Sequence, residues 1–252
     1  MRIQGNTIVI TGGGSGIGLA MAKAFLEAGN TVIICGRRES LLKDVQRVFP
    51  RLHIRACDVS VKAQREALFA SITAEFPDVN ILINNAGVQK ETDFTKGAPE
   101  LYDGESEIEI NLVGCIHLCA LFVPHFHSIR RNCAVVNITS GLAFVPLKIV
   151  PVYCATKAAL HSFSMSLRSQ LSGTNIKVFE IVPPIVKTEL HREAKARKQA
   201  ERGIEPERVA SEALDAIAKD KFEKAVGQGR DLMIAARIAP HFVHRLLNKI
   251  GD

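Results

Sequence analysis

The chain has no C-x-x-C pair, no H-E-x-x-H segment and no unbroken apolar run of the ~20 residues needed to cross a bilayer. Each absence removes a class of protein. Its six cysteines, Cys35, Cys57, Cys115, Cys119, Cys133 and Cys154, lie at irregular spacings in apolar or helical contexts. That pattern predicts buried free thiols in a reducing compartment rather than a disulfide framework. Cys115 and Cys119 fall on one predicted helix, but no histidine or second cysteine pair completes a zinc site, and no metal is expected. The opening MRIQGN has no signal-peptide core before the first apolar segment, so the expectation is a cytoplasmic protein without a membrane partner. The formal charge of +6 is mild and spread over many elements. The one basic run, His191 to Lys198, alternates with Glu and Ala as a solvated helix does, which argues against a nucleic-acid partner.

What the chain does have begins at Thr7–Gly18, TIVITGGGSGIG. Ile8, Val9 and Ile10 read as a short strand, glycines crowd the turn after it, and Ile17, Ala20, Met21, Ala24 and Phe25 recur on one helix face. A strand that turns through glycines into a helix aims the free N–H groups of the helix start at whatever lies above, and phosphate suits that position. The spacing is G-x-x-x-G-x-G, not G-x-G-x-x-G, and no G-K-[ST] ending marks an ATP site. A dinucleotide pyrophosphate is the ligand expected over Gly12, Gly14, Ser15, Gly16, Ile17 and Gly18.

With 252 residues and 47% hydrophobic composition, the chain can bury a full core. Apolar strands at Thr31–Cys35, Leu52–Cys57, Val79–Ile83, Ala134–Ile138 and Ile176–Val182, with a short one near Lys224–Val226, alternate with helical segments. This pattern predicts a single domain over 1–252: a doubly wound parallel α/β sheet of the Rossmann type, in three layers. The long helix expected from Glu105 to Ser128 contains Gly114 and Pro124. A polar segment over 184–205 and an apolar tail over 228–252, split by Pro240, close the chain. The tail reads as packing over the substrate cleft of its own or a neighbouring subunit, with an anionic membrane and disorder as alternatives.

Strand ends on one side of such a sheet bind ligands. The second strand ends at Gly36, Arg37 and Arg38 with no acid before Glu39, and paired guanidiniums favour the 2′-phosphate of NADP(H), with NAD(H) also possible. The third ends at Asp58 and Val59. The fourth runs into Asn84, Asn85, Ala86 and Gly87, which suit a ring or ribose packed on backbone. Tyr153 and Lys157 are four apart on one helix, where an ammonium stabilises a phenolate and lowers the phenol's pKa. Ser140, at the end of a neighbouring strand, brings a hydroxyl. His161 reads as an ordinary helix residue and His191 as an exposed one.

The combination of TGGGSGIG, Asp58, NNAG at Asn84–Gly87, Asn111, Ser140 and YCATK at Tyr153–Lys157 resembles the short-chain dehydrogenase/reductase family over nearly the whole chain. A narrower likeness to bacterial oxidoreductases encoded with D-alanylation genes rests on ICGRRE, EIVPP and APHF. The resemblance implies hydride transfer between a nicotinamide cofactor and a small carbonyl or alcohol. It assigns catalysis to Asn111, Ser140, Tyr153 and Lys157, with Asn111 retaining a water that connects to Lys157. Lys157 and Tyr153 would also contact the cofactor, together with Pro183, Val186 and Thr188. Pro184 stands where the family usually has Gly. The resemblance further implies a homodimer or homotetramer built on the Glu105–Ser128 helix and the next one. The alternative is a dinucleotide-binding sensor or scaffold on the same fold.

Overall fold

Residue alternation along the first strand sets up two cores. In the computed structural model, which describes residues 1–101, 104–190, 203–227 and 229–249, β1 (Thr7–Thr11) directs Ile8 and Ile10 to one face and Val9 to the other. The first core joins Ile8 and Ile10 to Val32, Ile34, Ile81 and Ile83, and to Met21 and Phe25. Met21 and Phe25 come from α1 (Gly16–Glu27), which packs along α6 (Pro206–Ala218). The second core joins Val9, Ile33 and Leu82 to Ile72, Phe122 and Phe126. Strands with both faces covered lose their polar alternation, which explains the unbroken TVIIC run.

Seven strands form one parallel sheet in the order β3-β2-β1-β4-β5-β6-β7. These are β2 (Thr31–Gly36), β3 (Leu52–Ala56), β4 (Ile81–Asn84), β5 (Cys133–Ile138), β6 (Ile176–Val182) and β7 (Glu223–Ala225). Helices α2 (Glu39–Val48), α3 (Lys62–Glu75), α4 (Gly114–Ser128) and α5 (Pro151–Gln170) supply the other crossovers. The order reverses between β1, paired with β2, and its other neighbour β4. That reversal opens a crevice above the strand ends. The doubly wound sheet is the one expected.

The long helix departs from its expected form. Glu109–Val113 is a π-helical segment that passes into α4 at Gly114, and α4 continues through Pro124. A Cβ at Gly114 would lie 2.7 Å from the Val59 carbonyl oxygen, so glycine permits the close approach of this bend to the β3 end. The expectation from contiguous runs also needs correction: the 20-residue helix Glu109–Ser128 is apolar and long enough to cross a membrane by composition. Leu118, Cys119, Phe122 and Phe126 are nevertheless buried in the second core. All six cysteines are buried free thiols.

The tail forms α7 (Gly229–Ile238) and α8 (Pro240–Lys249), broken at Pro240 as expected. They do not hang free. Val145, Ala236 and Val243 form a small buried cluster joined by Phe144, Leu232, Ala235 and Leu247. Most of the polar segment expected over 184–205, with His191, lies outside the described residues.

Candidate active site

The glycine turn after β1 forms the floor of the crevice. Gly16 has φ +53°, and a Cβ on it would come within 3.0 Å of Thr188 Cγ2. A Cβ on Gly18 would lie 2.3 Å from the Gly12 carbonyl oxygen, so Gly18 is buried under the turn and permits its shape without facing the crevice. Ser15 is the N-cap of α1, yet its side chain makes no capping bond, and the first helical turn holds no acid. A cradle too tight for side chains, above helix amides with no carboxylate over them, fits a dinucleotide pyrophosphate.

Gly12, Gly14, Ser15, Gly16 and Ile17 line one crevice together with Arg37, Arg38, Asp58 and Val59. Asn85, Ala86 and Gly87 continue the lining from β4, and Pro183, Val186 and Thr188 continue it from the end of β6. Asn85 also shapes the floor, donating from Nδ2 to the carbonyls of Thr11 (2.9 Å) and Gly12 (3.2 Å). Asp58 accepts from the Ser60 amide (2.9 Å) and hydroxyl (2.6 Å), which fixes the turn after β3. Arg37 meets Glu105 at 2.6 Å, and the exposed Arg38 meets the exposed Glu189 at 3.4 Å.

Pro184 removes one backbone donor, but the loop is braced elsewhere. The Gly141 amide donates to Pro183 O (3.1 Å), Lys187 donates to Ile204 O (3.0 Å), and Ile204 donates to Ile185 O (3.0 Å).

The four residues expected to carry the chemistry converge on one end of the crevice. Tyr153 and Lys157 are both buried on α5, with Lys157 Nζ 5.6 Å from the Tyr153 ring centre. Ser140 Oγ accepts from the Leu142 amide at 3.1 Å and is hydrogen-bonded to the phenol. Asn111 lies within the π segment, and its side chain is fastened on both sides. Oδ1 accepts from the Val88 amide (2.8 Å), and Nδ2 donates to Val88 O (2.9 Å) and Thr156 Oγ1 (3.2 Å). Gly87 lies beside both groups, since a Cβ there would be 3.4 Å from Asn111 Oδ1 and 3.7 Å from Lys157 Nζ.

Lys157 Nζ donates to Ile138 O at 2.9 Å. Burial pushes the Tyr153 phenol up, with the Ser140 hydrogen bond acting the other way. Burial also pushes the Lys157 ammonium down.

Beneath the site runs a polar row that the sequence reading missed. Asn84, Asn137, Glu180 and Glu223 are register partners on β4 to β7. Asn84 Nδ2 donates to Asn137 Oδ1 (2.9 Å), and Asn137 Nδ2 donates to Ser164 Oγ (2.8 Å). Buried Glu180 accepts from Thr139 Oγ1 (2.7 Å), the residue before Ser140, and is hydrogen-bonded to His161 Nδ1 (2.9 Å). His161, Glu180 and Glu223 place ligand-type atoms within 4.8 Å of one another, and Arg237 of α7 pairs with Glu223 at 3.1 Å. His161, a helix residue as expected, has a specific partner in Glu180. An acid inside the apolar run IKVFEIV was the available signal.

Comparison with known proteins agrees with this geometry. The family model for the short chain dehydrogenase matches residues 6–199. The oxidoreductase DltE of Bacillus subtilis (strain 168) is 48% identical over 224 residues, covering 88% of each chain. The NADP-dependent 3-hydroxy acid dehydrogenase YdfG of Escherichia coli (strain K12) is 32% identical over 180 residues, covering 71% of this chain and 72% of its own. Among solved structures, the 3-ketoacyl-(acyl-carrier-protein) reductase from Brucella melitensis complexed with NADH superposes with a TM-score of 0.79 at 27% identity. That match covers 91% of this chain and 99% of the other. The chain belongs to the short-chain dehydrogenase/reductase family. It is an NAD(P)-dependent oxidoreductase.

Proposed function

We propose that the protein reduces a small carbonyl compound to its alcohol, or catalyses the reverse oxidation, with Tyr153 as the proton carrier and NADP(H) as the preferred cofactor. The observation that carries this reading is the convergence of Tyr153, Ser140 and Lys157 on a crevice floored by the glycine cradle. When bound, the dinucleotide supplies or accepts the hydride. The chain's own residues handle the proton and the alignment. Ser140 Oγ, held by the Leu142 amide, orients the substrate oxygen beside the phenol. In reduction, the C=O π bond opens and the carbonyl oxygen takes the Tyr153 proton, and in oxidation the phenolate takes it back. Lys157 lies beside Gly87 on the cofactor side and positions the nicotinamide ribose. Asn111, tied to Val88 and Thr156, holds the geometry of this corner.

A protein retaining Ser140, Tyr153 and Lys157 in one pocket, with Asn111 buried behind them, fits an enzyme better than a sensor. Tyr153→Phe should bind cofactor within about twofold of wild type while losing turnover by a factor on the order of 100 or more. Turnover of a ketone or aldehyde panel at the wild-type rate, followed by cofactor absorbance, would move the acid elsewhere.

The NADP(H) preference rests on Arg37 and Arg38 at the end of β2. The Arg38–Glu189 contact is solvent-exposed on both sides, and such pairs hold by only about 0–1 kcal/mol, so a doubly charged 2′-phosphate outcompetes it. YdfG carries an NADP-dependent name and the Brucella reductase holds NADH, so relatives alone do not choose. Titration should show NADP(H) bound at least about tenfold more tightly than NAD(H), with Arg37→Ala removing most of the difference. Equal affinities in the wild type would overturn the preference. Six buried free thiols support a reducing cytoplasmic setting. A homodimer or homotetramer is proposed from the exposed apolar residues of α4, α5 and their flanks.

A further inference from the structure

Along the sheet-facing side of α5, polar side chains recur where an apolar stripe would serve for packing. Lys157, His161, Ser164 and Arg168 lie on one helix face by their spacing, and each is bonded to the sheet. Lys157 Nζ donates to Ile138 O (2.9 Å), Ser164 Oγ accepts from Asn137 Nδ2 (2.8 Å) and Arg168 Nε donates to Val178 O (2.9 Å). His161 Nδ1 lies 2.9 Å from a carboxylate oxygen of Glu180. Apolar contact has no direction, so it leaves a helix free to slide or roll on a sheet by small amounts. Hydrogen bonds at fixed angles remove that freedom.

Glu180 also grips the residue before Ser140. Its Oε1 accepts from Thr139 Oγ1 at 2.7 Å, and the Thr139 amide donates to Ile181 O at 2.9 Å. On the other side of Ser140, the Gly141 amide donates to Pro183 O at 3.1 Å. Ser140 itself is extended, with φ −165° and ψ 155°, between two residues tied to β6 and its continuation. One carboxylate therefore joins the end of β5 to α5, the two elements that bring Ser140 and Tyr153 together. The groups around it keep the bridge in place. Glu223 of β7 is paired with Arg237 of α7 at 3.1 Å, and Phe144 packs edge-on against the His161 ring at 4.6 Å. Glu180 has no exposure, and neither it nor His161 lines the crevice, so any influence on the reaction passes through the groups they hold.

We propose that Glu180 is a positioning residue for the reaction: by bridging Thr139 and His161 it sets the separation of the Ser140 hydroxyl from the Tyr153 phenol. The proposal rests on the hydride-transfer reading above for the roles of those two hydroxyls. A displacement of about 1 Å at a reacting group costs on the order of 100-fold in rate. The glycine cradle at β1 does not depend on this bridge, so cofactor binding survives its loss. The signature is a fall in kcat with cofactor affinity retained.

Two measurements on the full-length protein test it. The first is kcat for a ketone or aldehyde that the wild type reduces with NADPH, beside the dissociation constant of NADPH. The second needs no turnover. The chain has no tryptophan and two tyrosines, so in a Tyr102→Phe background the near-ultraviolet circular dichroism band of tyrosine reports the surroundings of Tyr153 alone. Glu180→Ala should lower kcat by about tenfold or more and weaken that band, with NADPH bound within about twofold of wild type. Glu180→Gln keeps an acceptor for Thr139 at the same reach and should recover kcat to within about threefold of wild type. Arg168→Ala removes another bond of the same stripe, further along α5, and should lower the urea midpoint while leaving kcat and the band as they are. Should Glu180→Ala fail to fold, Thr139→Val cuts the same bridge at nearly constant volume, with Thr139→Ser as its rescue. Unchanged kcat and band in folded Glu180→Ala or Thr139→Val overturn the proposal, as does an equal loss of kcat in Arg168→Ala. A band that responds to Glu180 in a protein that reduces no ketone or aldehyde supports the bridge and overturns the hydride-transfer reading, so the two failures are distinct.

Discussion

Glu180 is a carboxylate with no exposure inside an otherwise apolar strand, and its partners explain why it is tolerated. Thr139 and His161 donate to it, and burying a charge without such partners would cost far more than the strand gains. The pair carries a pH signature. The hydrogen bond that His161 makes to the Glu180 carboxylate raises the His161 pKa, burial opposes that, and the Glu180 and Glu223 charges raise it while Arg237 lowers it. A histidine whose folded pKa exceeds its unfolded value contributes stability fully present below the unfolded pKa of about 6.5, and lost as pH rises through the folded value. Urea midpoints should therefore fall from the mildly acidic to the mildly alkaline range in wild type, and fall less in His161→Phe. A parallel decline in both proteins would show that His161 is not the group responsible. Phe144, stacked edge-on against His161 at 4.6 Å, ties the same residue to the cluster under the tail.

At the scale of elements, what was legible follows from where each signal is encoded. The β1 turn and the buried strands were readable because glycine crowding and unbroken Val/Ile runs are local properties, and so were the Tyr153–Lys157 spacing and the Pro240 break. The π segment at Glu109–Val113 was not readable, since nothing in ILE- or ASN-type propensity separates i+5 from i+4 bonding. The Asn84–Asn137–Glu180–Glu223 row was hidden for a different reason: it exists only once four strands far apart in sequence are set in register. The tail illustrates the limit of amphipathic patterning, which gives a buried face but not what it is buried against. Here the face of α7 and α8 covers Phe144 and Val145, and Asn248 Nδ2 donates to Pro146 O. The apolar residues Ile108, Leu112, Cys115, Ile116 and Cys119 of the Glu105–Ser128 segment also divide in two. Cys115 and Cys119 turned inward, whereas Ile108 and Ile116 face out.

That division matters for the whole molecule. Ile108 is 51% exposed, Ile116 is 38% exposed, and Met165 on α5 is 49% exposed, all on the helices that cover one side of the sheet. Small or partly buried residues accompany them on α5, where Ala158 and Ala159 allow close approach. Exposing three large apolar side chains on one helical layer is unfavourable for a lone subunit, and a two-fold axis lets the same layer cover itself. A lasting dimer needs on the order of 1,000 Å² of total buried area or more, which two adjacent helices of this length can supply. The wild type should therefore sediment as a dimer or tetramer at micromolar concentration. Ile116→Glu combined with Met165→Glu places four like charges across the axis and should shift the equilibrium toward monomer, while circular dichroism reports an unchanged secondary structure. The outer face of the tail provides the internal contrast. Ile238, Phe242 and Leu246 are also exposed, so if Phe242→Glu dissociates the oligomer and the α4/α5 double variant does not, the subunits meet through the tail, and the assignment of the interface to α4 and α5 is wrong.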